Sequence, residues 1–105
     1  MSDVQPIQNT GALPDRTPPA LLELLGQTVV VDTDSHYIFI GKLERADAQF
    51  LLLSGVDVHD NARHGLSKER YVHEARNIGV RQNREHTYVR MDRVVCISKL
   101  EMVNP

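Results

Sequence analysis

Tyr37-Ile38-Phe39-Ile40-Gly41-Lys42-Leu43-Glu44-Arg45-Ala46-Asp47-Ala48-Gln49-Phe50 is the stretch from which the fold can be read. Tyr37, Phe39, Gly41 and Leu43 recur at every second position, the period of a strand with one face buried. Ile38 and Ile40 make the opposite face apolar too, before it turns polar at Lys42 and Glu44. A strand over Tyr37 to about Arg45 is therefore covered on both sides for half its length. Gly41 stands among large residues, which fits a sharp bend or the close approach of another backbone, as where a sheet curls into a barrel. Asp47-Ala48 then turns the chain into a second apolar run, Phe50–Val58.

Reading outward, Thr28–Asp32 is a β-branched run ended by Thr33-Asp34-Ser35, and Thr87–Met91 and Val94–Leu100 are two more strands joined by a tight turn at Asp92-Arg93. Before the strands, Thr17-Pro18-Pro19 supplies a hydroxyl cap and first-turn prolines for a short helix that Gly26 closes. Its Leu21, Leu24 and Leu25 share a face that must be buried, since two turns are unstable alone. Residues 59–66 read as a polar turn. Ser67 then caps a second helix through Ile78, with Tyr71, Val72, Ala75 and Ile78 as the stripe expected to cover the extra apolar sheet surface. Residues 1–16 show neither helical nor strand periodicity and read as a flexible arm. The expected order is helix, three strands, helix, two strands: a mainly β domain over 17–105.

The chain has 105 residues, of which 41% are hydrophobic, enough for one modest core. No apolar run approaches the roughly 18 residues of a membrane span, and the N-terminus lacks the order of a secretory signal. Cys96 is the only cysteine. It excludes an intrachain disulfide, fits a reducing compartment, and makes the cytoplasm the expected location. The net charge of −2 hides an asymmetry. Residues 1–60 hold three Lys/Arg against nine Asp/Glu, while residues 61–105 hold nine against five. A basic second half can attract phosphate, or can meet the acidic half of the same or a neighbouring chain.

Phe39, Gly41, Leu43, Asp47 and Phe50 reproduce the first motif of the Sm-like family, and Val89, Arg90, Val94 and Ile97 meet part of its second. The chain resembles a divergent member of that family over about residues 18–58 and 86–100, with residues 59–85 as a helical insertion between the third and fourth strands. The resemblance implies a small five-stranded antiparallel barrel of SH3-like type, a homo-oligomeric ring built by pairing the fourth strand of one subunit with the fifth of the next, and association with RNA. Family members grip a uracil-like base with a stacking side chain, an Asn and an Arg; the corresponding positions here hold Gln49, Leu51 and Arg90. Only the arginine is kept. The Gly and Asn of the second motif are Met91 and Arg93.

The RNA-side candidates are accordingly Arg90, Arg93, Arg81, Arg84, Asn83 and Gln49, expected to contact backbone phosphates rather than read bases, because guanidinium forks match anionic oxygens. Against this stands the bland alternative of a solvated basic face. The five aromatic residues of the chain make a stacking platform thin. Asp57, His59, Asp60 and His64 offer imidazole and carboxylate within eight residues, the basis of a weaker alternative as a metal-dependent hydrolase. A solvated strand-end turn explains that cluster as well. No activated nucleophile is evident, and Cys96, amid Val94, Val95 and Ile97, reads as a small buried hydrophobe. The leading expectation is a non-catalytic ring module for RNA binding or processing, needing no cofactor or metal. The competing one is an oligomeric protein-interaction scaffold without nucleic acid.

Overall fold

Two apolar clusters, one on each face of a bent sheet, organise the computed structural model, which describes residues 16–104, the His64 side chain excepted. The arm expected over 1–16 therefore lies, apart from Arg16, outside the described residues. The described residues form five strands: β1 (Thr28–Thr33), β2 (Tyr37–Ala46), β3 (Phe50–Asp60), β4 (Arg84–Arg90) and β5 (Val94–Lys99). They form one antiparallel sheet in the order β4-β3-β2-β1-β5. Two helices, α1 (Asn61–His64) and α2 (Lys68–Ile78), lie between β3 and β4.

Alternation along the strands assigns the clusters. Val29 and Val31 of β1, Leu43 of β2, Leu51, Leu53 and Val56 of β3 and Val89 of β4 fill one face, with Leu21, Leu24 and Leu25 packed against it. On the other, Val30, Ile38 and Ile40 meet Tyr71 and Ala75 of α2. The doubly apolar half of β2 is thus explained: one face is core and the other lies under a helix. Burying each such side chain stabilises by about 1.5–3 kcal/mol, enough to hold a helix of 11 residues that is marginal alone.

The bend is set at Gly41. Ile40 pairs with Asp57 and Lys42 with Ser54, so two residues of β3, Gly55 and Val56, oppose the single Gly41. Gly55 takes the extra residue at a φ of 57°. A Cβ on Gly41 would stand 3.1 Å from the Ser54 carbonyl oxygen and 3.3 Å from Val56 Cα, so the bulge closes on a position with no room for a side chain.

Several details differ from the sequence expectation. The first helix is a 3-10 segment, Pro19–Leu24, with Leu21 N–H donating to Pro18 O at 2.8 Å. Thr17 does not cap it; its hydroxyl donates to Ala46 O at 3.2 Å, tying the segment to the end of β2. Ser67 caps α2 as expected, accepting from Arg70 N–H at 3.1 Å. Ile78 however is 82% exposed, as the last residue of the helix, whose buried positions are Tyr71 and Ala75. β3 runs on to Asp60, and residues 61–64 form α1 rather than a turn. β4 starts at Arg84 instead of Thr87, since Asn83 N–H already bonds Val56 O across the ladder. A 3-10 turn, Met91–Arg93, links β4 to β5. Cys96 is exposed, because β5 is a sheet edge. Among the described residues, no helix is long and apolar enough to cross a membrane.

Candidate nucleic-acid interface

Two turns meet at one end of the sheet. The first, Asp47–Gln49, is organised by the Asp47 carboxylate, whose Oδ1 accepts from Gln49 N–H at 2.7 Å and Phe50 N–H at 2.8 Å. The backbone donors of Phe50 and Gln49 hold this carboxyl below its ordinary pKa. The second turn is Met91–Arg93, and its Met91 N–H donates to Gln49 O at 2.8 Å. Gln49 and Arg90 consequently sit together at an exposed corner beside Phe50, whose register partner is Arg90.

The arginines of this corner carry acidic neighbours. Arg90 Nη2 donates to Asp92 Oδ2 at 2.7 Å, and Arg93 Nε to Asp34 Oδ1 at 2.6 Å. The bond from Asp34 raises the Arg93 pKa further, so its charge is fixed. Both pairs are more than half exposed, and such surface pairs are weak enough to exchange for another anion. Arg93 is held toward the β1–β2 turn.

The six candidates do not form one surface. Arg84 lies six residues from Arg90 along β4, roughly 20 Å at strand rise. Asn83 is occupied in linking strands: its Oδ1 accepts from Val58 N–H at 3.0 Å, and its Nδ2 donates to Asp57 Oδ1 and Val58 O, each at 3.2 Å. Arg84 Nη1 bonds Asn83 O at 2.9 Å, and exposed Arg81 lines a cavity with Asp57, Tyr71 and Glu74. Leu51, in place of the Asn of the resemblance, is 0% exposed in the core and has no donor to offer.

Nor does the metal-ligand reading hold together. Asp57 and His59 face α2, opposite Ile40 and Ile38, where His59 stacks on Tyr71 at 4.1 Å between ring centroids and 9° between planes. Asp60 Oδ1 instead caps α1 through Ala62 N–H at 3.0 Å, and the His64 side chain lies outside the described residues. Among the described residues, no three His, Cys, Asp or Glu side chains are placed to hold a metal ion.

Sequence reading missed the outer face of β3 and β4. Phe50 and Tyr88 meet there edge to face at 6.1 Å, 42% and 61% exposed, beside a cavity of about 340 Å³ that also touches Arg45 and Leu25. The alternation that buries Leu51 and Val89 puts Phe50 and Tyr88 outside, which could have been inferred from strand parity.

No family model matches the sequence, and no curated protein does either. Solved structures do match. A Pyrococcus abyssii Sm protein in complex with a uridine heptamer aligns with a TM-score of 0.54 at 17% identity, over 77% of this chain and 93% of that one. A heptameric archaeal Sm protein aligns with a TM-score of 0.54 at 21% identity, over 78% and 97%. A chain of the NatC complex bound to CoA aligns with a TM-score of 0.51 at 23% identity, over 79% and 87%. With the N-terminal helical segment, the strand order and the glycine-centred bend already described, these likenesses identify the chain as having an Sm-like fold.

Proposed function

We propose that this chain is a non-catalytic Sm-like module that closes into a homo-oligomeric ring and holds RNA through backbone phosphates, without reading uracil. The observation that carries the reading is the joined pair of turns, Met91 N–H to Gln49 O, which presents Gln49 and Arg90 side by side. Ring formation is supported by β4 and β5 standing at the two ends of the sheet order, each with one edge lacking a strand partner among the described residues. Unpaired edges are a template for pairing, and β4-to-β5 pairing between copies is a head-to-tail contact that can close. Tyr88 and Val95, both more than 60% exposed, sit on these edges. The relatives solved as a heptamer and with a uridine heptamer support the same reading. A base pocket is not part of it, since buried Leu51 replaces the amide donor.

Native mass spectrometry with and without oligo-U and oligo-A, over a salt series, tests this. The expected result is a closed oligomer that binds both sequences alike and weakens steeply with salt, log K falling by about 0.7 per phosphate contact for single strands. Arg90→Ala with Arg93→Ala should lower the affinity and flatten that slope. A monomer, or no RNA complex at low salt, refutes the proposal.

A second reading, an oligomeric protein scaffold without nucleic acid, is favoured by one observation: Asp92 and Asp34 already face the two arginines and would repel phosphate. The likeness to a chain of a multi-protein complex is consistent with it. An intact ring that forms no RNA complex at low salt would select it, whereas unchanged RNA affinity in the double arginine variant would overturn the assignment of Arg90 and Arg93.

A further inference from the structure

The underside of α2 holds buried polar groups that neither the ring edges nor the turn corner uses. Asp57 is 9% exposed, and its side-chain hydrogen bond comes from Asn83 Nδ2 at 3.2 Å. Among the described residues, no lysine or arginine forms an ion pair with it. Tyr71 is 8% exposed, and its hydroxyl has no hydrogen-bond partner among the described residues. Burial and the facing Asp57 carboxylate push its pKa up. Both groups line a cavity of about 460 Å³ whose wall also includes Glu74, Ile78, Arg81 and Asn83.

A buried carboxylate with no lysine or arginine beside it is costly, and so is a buried hydroxyl that does not meet its neighbour at good hydrogen-bond geometry. Together they specify what would relieve that cost: a cation with several N–H donors. Asp57 and Glu74 set two carboxylates against the single Arg81 guanidinium in the lining, with Arg70 Nε 3.9 Å from Glu74 on the exposed side of the helix. Ile78, 82% exposed at its rim, offers an apolar surface to an aliphatic stem. A carboxylate offers several lone-pair sites, of which Asn83 fills one and the Tyr71 hydroxyl faces another, and a planar guanidinium carries five donors in a fixed fork.

We propose that the cavity between α2, β3 and the residue 79–83 link is a receptor for a guanidinium on an aliphatic stem, the arginine side chain of a protein partner. The guanidinium sits against the cavity side of the Asp57 carboxylate, beside the Tyr71 hydroxyl, its stem runs along Ile78, and Arg81 swings outward. This site is separate from the turn corner and does not depend on RNA binding there.

The test is an amide chemical-shift titration of the full chain with acetyl-arginine methylamide, its neutral isostere acetyl-citrulline methylamide, and spermidine. The expected result is saturable shifts around Asp57, Tyr71 and Ile78 with the arginine probe, at least tenfold weaker binding of citrulline, and at least tenfold loss of arginine affinity in Asp57→Asn. Should Asp57→Asn fail to fold, Glu74→Gln, on an exposed helix position, is expected to weaken the arginine probe several-fold. Non-saturable shifts, equal binding of citrulline, or affinity unchanged in these variants would mean that the cavity holds only water and would overturn the proposal. Tighter binding of spermidine than of the arginine probe would overturn the peptide assignment in favour of a free polyamine.

Discussion

Gly41→Ala tests the origin of the bend. A Cβ there would meet Ser54 O at 3.1 Å, Val56 Cγ2 at 3.2 Å and Val56 Cα at 3.3 Å, all inside the 3.4 Å at which ordinary contact begins. Two of the three atoms are backbone of the paired strand and cannot rotate away, so β2 and β3 must separate by a few tenths of an ångström. Overpacking of this kind costs about 1–3 kcal/mol. Alanine returns about 0.4–1 kcal/mol by restricting the unfolded chain. The net loss is about 1–2 kcal/mol, or about 5–15 °C in Tm for a domain of this size. Thermal unfolding followed by circular dichroism measures it, with Gly55→Ala as the comparison. Gly55 lies at a φ of 57° but faces only the movable Gln82 side chain, so its cost is the left-handed backbone alone, about 1–2 kcal/mol. Gly41→Val should lose more than Gly41→Ala and should also disturb the proposed oligomer when followed by native mass spectrometry. A Gly41→Ala protein as stable as the parent would refute the argument that backbone approach, rather than composition, shapes this sheet.

Other expectations follow from single contacts. Lys68 Nζ donates to Asp32 Oδ1 at 2.7 Å, Ser35 O at 2.8 Å and Thr33 O at 3.0 Å, fastening α2 to the β1–β2 turn; Lys68→Met should cost about 1–3 kcal/mol in urea unfolding. Asp47 is ionised by its backbone donors, so the folded pKa lies below the unfolded one. Its contribution is present above the ordinary aspartate value and is lost as pH falls through the folded value, so Asp47→Asn should flatten the acid limb of a stability-against-pH curve. Leu43→Ala, at 0% exposure, should cost about 2–5 kcal/mol, whereas Ile78→Ser, at 82%, should leave the urea midpoint nearly unchanged. Exposed Cys96 should react with a maleimide in the folded monomer and be protected if β5 is covered by a neighbouring copy.

What the sequence by itself determined was periodic or local. The two-residue alternation of Tyr37–Leu43, the cap at Ser67 and the prolines ahead of Leu21 each carry their physical cause within a few residues, and the order of elements came out as expected. The apolar face of Ile38 and Ile40 even implied the helix that covers it. Tertiary structure decided the rest, because those questions turn on which distant groups become neighbours. Thr17 caps nothing once the end of β2 offers it a carbonyl, and Cys96 is exposed because β5 lies at an edge that no local pattern announces. The candidate RNA side chains are scattered for the same reason: Arg81, Asn83 and Arg84 are close to Arg90 in sequence, yet an extended strand carries them to the other end of the sheet. Only folding sets Asp57 beneath Tyr71, and Asp34 against Arg93 across 59 residues of chain.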